Sequence, residues 1–410
     1  MPLLIDCFKA AFFKAANLNL IQMKIFRSSI LSVFLLAGCI QHTENTSIQK
    51  ELTHRFEDEK TLINSKSKVI LIDSLSLPFY DYFQVIERNN ISYLMGLNRQ
   101  SVALDFIPLE GKYDIAHLSF AEDGPGSVDA DLDIVHFFSE DSILTIQDRA
   151  PRFNVLNGKG ELMNSYRKTI RDTKGLEMFP VSYSYLGQWP VFLDSVWVLP
   201  VYPDLDVKSN AYYKRNKFMV YDPVKNEVVD EFGAYPAMYQ GENYFDILRE
   251  PNLTRTPKGT FLVTFPADPG IYEYQLGAET VIYHHYPDWE RFTNEGIDRN
   301  GDMQQFVNHY ISSAWFQQLM YDPYRKVYYR FGKESQELRR SDGEKNTAFD
   351  AEWRIFILDK ELDQIGTYAL DANRFNPLFS FVSEEGLFIY DNQREHDDEM
   401  VFGIFQISEF

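Results

Sequence analysis

Hydrophobic and polar positions alternate in short bursts along most of the chain. They do not recur every three or four residues, as a helix face would require. The segments ISYLMGLNRQSVALDF (91–106), DSILTIQDRAPRFNVLNGKGE (141–161), FMVYDPVKNEVVDEFG (218–233), LMYDPYRKVYYRFG (319–332), WRIFILDKELDQIGTY (353–368) and LFIYDNQREHDDEMVFGIFQI (387–407) share one plan. Each has a strand-forming run, a polar turn on Asp or Asn, and a second strand-forming run, which predicts a β-hairpin. The turn markers are Asn98, Asp148, Asp222, Asp322, Asp359 and Asp391, and a weaker hairpin, GIYEYQLGAETVIYHHY, covers 270–286. Two segments repeat a phrase, Tyr-Asp-Pro followed by a strand closing on Phe-Gly. The Asp carboxylate is expected to accept backbone N–H bonds in its own turn while Pro223 or Pro323 fixes φ at the next position. Asp222 and Asp322 are therefore expected to do the same job, with Phe232 and Phe331 packing between blades.

Strand pairs spaced by about thirty to seventy-five residues, centred near fifty, are the signature of an all-β fold of the β-propeller type, one blade per repeat. Six blades fit the hairpins better than seven, and a large β-sandwich is the alternative. The longest gap between turn markers, 148–222, is expected to add strands and a surface insertion. Long amphipathic helices are not expected.

The chain start has a different pattern. Lys24 and Arg27 precede a short apolar run, Ile30 to Leu36, too short to span a bilayer. Leu36-Ala37-Gly38-Cys39 resembles the lipobox of bacterial lipoproteins, in which cleavage before the Cys exposes a thiol that carries diacylglycerol. An uncleaved membrane anchor is the alternative. The expected organisation is residues 1–22 as an extension before a true start at Met23, a signal peptide over 23–38, a lipidated flexible tether over 39–68 and a propeller over 69–410. With Cys7 outside the mature protein and Cys39 acylated, no disulfide is available, so a large core must hold the fold.

A formal net charge of −20 and a pI near 4.8 argue against nucleic acid, which needs a basic face, and against lying flat on anionic lipid. Aromatic residues make up 15% of the chain, a load that suits pleated, half-buried surfaces. Such a chain fits a binder of sugars or cations, although acidity also serves plain solubility.

YDPYRKVYYRF (Tyr321–Phe331), EDGPGSVDADLDIVHFFSEDSILTI (Glu122–Ile146) and the lipobox start together resemble the exported lipoproteins grouped as domain of unknown function 4221. The resemblance runs over roughly 70–410. It implies a six-bladed propeller-like fold and an outer-membrane lipoprotein of the bacterial envelope. It implies no activity and assigns no catalytic residue.

The densest candidate chemistry is YHHYPDWERF, with His284, His285, Asp288 and Trp289, and with His309 as a further partner for a metal or a sugar ring. Adjacent histidines on a strand point to opposite faces, so His284 and His285 share one ion only if they lie on a loop. Asp298, Asn300 and Asp302 open like an EF-hand calcium loop, but Met303 stands where Gly is needed and His309 where Glu is needed. Asp129, Asp131 and Asp133 line one face if extended, and solvation is their default state. EDGPGS (122–127) lacks the spacing of a phosphate loop, and no G-x-S-x-G occurs. No cofactor is evident, and a bound cation stays open. Two function classes remain. One is a membrane-anchored binding or scaffold module for a glycan or an envelope protein. The other is a propeller enzyme, a glycan hydrolase or lyase, with acids and His converging at the channel mouth.

Overall fold

The structure, a computed structural model, describes residues 47–51 and 60–408, apart from 111–113, 122–126, 129–131, 133, 140, 148–150, 184–185 and 293. The extension, the signal peptide, Cys39, much of the expected tether, the loop 122–126, Asp129, Asp131, Asp133 and the Asp148 turn lie outside the described residues.

The hairpins assemble into six blades. Blade one is Phe83–Arg88, Ile91–Asn98, Ala103–Pro108 and Ala116–Ser119, paired in that order. Blade two runs Ile134–Ser139, Ser142–Gln147, Arg152–Leu156 and Leu162–Arg167. Blade four runs Asn252–Arg255, Phe261–Thr264, Ile271–Tyr274 and Val281–His285, with Ser47–Glu51 added in parallel at its outer edge. Blade five is Trp315–Asp322, Val327–Lys333, Trp353–Leu358 and Gln364–Leu370. Blade six takes Phe375–Ser383, Gly386–Asp391 and Glu399–Ser408, and its fourth strand is Thr61–Leu71 from the other end of the domain. That exchange closes the ring by hydrogen bonds. It also moves the start of the propeller back from residue 69. In Thr61–Leu71 only Leu62 and Ile70 are buried, so this outer strand is polar enough to resemble a tether.

Blade three departs from the plan. Glu177–Pro180 and Val191–Phe192 both pair with Trp197–Pro203, which pairs with Asn216–Asp222 and then Glu227–Ala234. Its inner strand is thus broken by residues 181–190. The expected extra strands are present, including Ile170–Arg171, but the insertion turns inward to the axis instead of outward to solvent. Trp189 packs edge-on against Tyr82 and Phe83 of blade one, while Asn252 of blade four bonds the carbonyl of Gly187.

In a meander, alternate connections emerge at opposite ends of the ring. One end carries the long connections 204–215, 235–251, 286–314 and 334–352. Arg299 gathers three of them by donating to the carbonyls of Lys208, Gly241 and Asn243 and to Asn210 Oδ1. The ten-residue helix Met303–Ser312 lies in the fourth-to-fifth blade connection. The opposite end carries tight turns at Asp222, Asp322 and Asp359. Packing between blades is aromatic: Phe232 of blade three lies 5.4 Å from Phe261 and 5.2 Å from Tyr274 of blade four. Burying such a ring contributes roughly 1.5–3 kcal/mol.

Candidate functional site

The mouth of the propeller channel was the expected place for chemistry; along the axis the inner strands meet through buried hydrogen bonds. In blade five the inner strand carries an extra residue between Phe316 and Leu319, and in blade six the pairing shifts between Asn376 and Ser380. These bulges re-aim polar side chains. Gln318 Nε2 donates to Ser380 Oγ at 2.7 Å, and Ser380 Oγ donates to the carbonyl of Pro377 at 2.8 Å. Asn252 Nδ2 donates to the carbonyl of Gly187 at 2.6 Å, and its Oδ1 accepts from the backbone N–H of Leu319 at 3.0 Å. Gly187 has φ +71°, and a Cβ there would collide with Asn252 and Gln318. Four blades therefore meet at the axis through neutral, buried groups that bond one another.

Two buried charges serve as clamps between blades. Lys217 of blade three, with no exposed surface, pairs with Glu250 at 3.0 Å just ahead of the blade-four inner strand. Burial works to raise the Glu250 carboxyl, but Lys217 and Arg249 hold it below the usual range. Arg330 of blade five donates to the carbonyls of Asp268 and Pro269 in blade four and lies 3.8 Å over the Phe316 ring. Burial pushes its pKa down to about 10.

A cleft of about 360 Å³ opens between blades four and five at the tight-turn end. Leu262, Glu273, Ile282 and His284 form the blade-four wall; Tyr321, Tyr328 and Leu362 form the blade-five wall. The rim carries Lys258, Lys326, Lys360 and Glu361. The wall positions follow from register. Glu273 pairs with Ile282 and Leu262, and Tyr321 pairs with Tyr328, so period-2 alternation sends these side chains to facing surfaces. The Tyr321 and Tyr328 rings lie 4.9 Å apart. Glu273 bonds His284 Nε2 at 3.2 Å and accepts from Thr260 Oγ1 at 2.7 Å. The bond with His284 holds its pKa below the usual carboxylate value, outweighing half-burial. His284 is 3% exposed, and its Nδ1 has no hydrogen-bond partner. Lys258 pairs with Glu361 across the rim at 3.0 Å.

Of the residues singled out from sequence, only His284 lines this cleft. Val281–His285 is a strand, so His285 points to the other face, where it stacks on Tyr283 and lies 3.9 Å from Glu290. The Asp288 side chain lies outside the described residues. Trp289 is buried, stacked on Tyr286 at 3.9 Å, and donates to Gln364 Oε1 at 2.7 Å. His309 sits on the helix, with its pKa pushed down by burial. Two of the three candidate calcium ligands have backbone partners: Asp298 Oδ1 accepts from Asn300 N at 2.8 Å, and Asp302 N-caps the helix, accepting from Gln305 N while Gln305 Oε1 accepts from Asp302 N. The signal for that helix was the D-x-x-Q capping box. Among the described residues no group of three or more His, Cys, Asp or Glu is placed to hold a metal ion. Glu273, Lys258, Lys326, Lys360, Tyr321 and Tyr328 were not singled out as site residues. Their signal was the tyrosine-rich phrase itself, which local reading assigns to a turn.

The family described as domain of unknown function (DUF4221) matches residues 57–367. A crystal structure of a DUF4221 member from Bacteroides vulgatus superimposes with a TM-score of 0.68 at 19% identity, covering 86% of this chain and 99% of that one. That likeness shows the fold. A putative exported protein from Bacteroides fragilis gives a TM-score of 0.43 at 13% identity, covering 88% of this chain and 100% of that one. The PQQ-bound aldose sugar dehydrogenase from Streptomyces coelicolor gives 0.42 at 10% identity, covering 84% and 99%. The last two likenesses are too distant to inform the site. No curated protein matches the chain.

Proposed function

We propose a function from one premise: this chain belongs to the DUF4221 family. Its six-bladed propeller acts as a ligand-binding module of the bacterial envelope, held at the outer membrane through a lipid on Cys39. The observation that carries the binding reading is a contrast between two polar regions. At the axis, Asn252, Gln318 and Ser380 satisfy one another or the backbone. In the cleft between blades four and five, aromatic side chains and the exposed amines of Lys326 and Lys360 are open to a ligand. Small-molecule sites combine apolar walls with a few placed polar groups in this way. The anchor rests on the lipobox behind a charged and then apolar start. Replacing Cys39 by Ala moves the protein out of the membrane fraction or leaves it uncleaved; wild-type fractionation and migration of that variant contradict the anchor.

The binding reading is tested with the detergent-solubilised full chain on an oligosaccharide array. Retention of a glycan by wild type, and its loss in the double variant Lys326→Gln/Lys360→Gln, supports the cleft as the site. Retention that ignores these substitutions contradicts it. A second reading has its own observation: His284 bonded to Glu273 is a His–carboxylate pair able to move a proton. Turnover of the retained glycan, lost in Glu273→Gln, favours the glycan hydrolase or lyase over the binder.

A further inference from the structure

We infer that the ligand of the cleft between blades four and five is an acidic saccharide, one whose sugar ring carries a carboxylate. This rests on the cleft being a binding site and adds the chemistry it recognises.

The chain carries a formal charge of −20, yet its rim here gathers Lys258, Lys326 and Lys360. Lys258 is committed to Glu361 at 3.0 Å. Lys326 and Lys360 are exposed and make no ion pair within the described residues. A strongly acidic surface repels anions at long range, so two uncommitted amines beside one cavity mark a local reversal of that field. A carboxylate bonds an ammonium more strongly than a neutral hydroxyl does.

The walls specify the rest. Tyr321 is half-exposed and is backed by Tyr328 at 4.9 Å, which presents a ring face in the cleft. A pyranose offers a C–H face that packs on such a ring and hydroxyls around its edge. At the base of the cleft, His284 Nε2 bonds Glu273 at 3.2 Å. Glu273 adds carboxylate oxygens as hydroxyl acceptors, and its depressed pKa keeps it ionised. A neutral apolar ligand would leave these groups bare, and an isolated anion would not use the ring face. A cavity near 360 Å³ is in the range for a small ligand.

The test is titration calorimetry on the detergent-solubilised full chain with three probes: trigalacturonate, its neutral counterpart galactotriose, and inorganic phosphate. The expected result is binding of trigalacturonate at least about ten-fold tighter than galactotriose, the effect of one charge-assisted hydrogen bond. Lys326→Gln/Lys360→Gln should remove that preference, and Tyr321→Ala should weaken the acidic sugar by about ten-fold as well. Equal binding of both sugars, insensitive to the lysine substitutions, overturns the acidic inference and leaves the cleft as a sugar site. Phosphate binding as tight as trigalacturonate, unmoved by Tyr321→Ala, overturns the saccharide in favour of an anion alone. No binding of any probe overturns the inference, while the binding reading still stands or falls on the array.

Discussion

The two copies of the Tyr-Asp-Pro phrase fold the same way and end with different duties. In both, the Asp carboxylate accepts two backbone N–H bonds: from Val224 and Lys225 at Asp222, and from Tyr324 and Arg325 at Asp322, all at 2.9–3.0 Å. In both, the residue four after the Asp has positive φ, +59° at Asn226 and +56° at Lys326. The first copy, however, joins the two outermost strands of blade three, and the second joins the two innermost strands of blade five. At the outer position Tyr221 bonds Asn226 at 2.7 Å, and Lys225 is mostly exposed beside Asp222. At the inner position Arg325 bonds Asp322 and reaches the carbonyls of Ser383 and Glu384 in blade six. Tyr329 adds its hydroxyl to the same carboxylate at 3.2 Å, and Tyr321, Lys326 and Tyr328 line the cleft. The turn grammar is local; radial position decides whether the variable residues become a turn, a clamp or a site.

The largest expected effect is on Phe331, which closes the second copy and is fully buried. Phe331→Ala should destabilise the domain by about 3–5 kcal/mol through lost burial and a cavity. Next comes the contrast between the two carboxylates, read from denaturant melts of both variants. Asp322→Ala should cost about 3 kcal/mol, because it strips Arg325 and Tyr329 of a partner that has no exposed surface. Asp222→Ala should cost about 1 kcal/mol, since water replaces part of what is lost and the mostly exposed Lys225 is left solvated. Equal costs for the two would break the comparison.

Sequence alone predicts about 1 kcal/mol for Asp322 as well, and the reason marks the limit of what was legible. Turns are local, so Asn98, Asp222, Asp322, Asp359 and Asp391 could be read directly, and each accepts backbone N–H bonds within its own turn. Six blades were expected, but the turns do not fall one to a blade: Asp322 and Asp359 both belong to blade five, and blade four carries only the weaker hairpin at 270–286. Which strand is inner and which outer depends on pairing between distant segments, and nothing in YDPYR states it. The inward path of residues 181–190 was hidden for the same reason: its Gly, Tyr and Trp read equally well as surface or plug. The cleft joins residues far apart in the chain, Lys258 with Glu361 and Glu273 with Tyr321, and only the packing of blade four against blade five brings them together. His284 was legible as a residue, but its partner Glu273 was not.

A smaller effect sharpens the contrast between satisfied and open side chains. His117 is clamped by Asp105 at 2.7 Å and Asp73 at 2.9 Å, with Tyr80 also bonded to Asp105, tying the link after Thr61–Leu71 to blade one. Burial works to lower the His117 pKa, but its bonds to the two carboxylates raise it overall. A raised folded pKa means the contribution is complete below the unfolded value of about 6.5 and is lost as pH rises through the folded value. Asp73 acts in the opposite sense: burial works to raise it, His117 pulls it lower, and its contribution is lost only as pH falls below the ordinary carboxylate range. Wild-type stability should therefore decline as pH rises above about 6.5, relative to His117→Gln. A wild-type curve that stays parallel to that of the variant contradicts the clamp.

The most direct test rewrites one copy of the phrase as the other. Lys326→Asn places at the second turn the residue found at Asn226. Asn tolerates positive φ better than Lys does, and it offers Tyr321 the hydroxyl partner that Tyr221 already has. The variant should melt at or slightly above wild type, and its affinity for trigalacturonate should fall by about ten-fold, one charge-assisted bond's worth. Unchanged affinity in a stably folded Lys326→Asn protein would contradict the assignment of the cleft between blades four and five as the binding site.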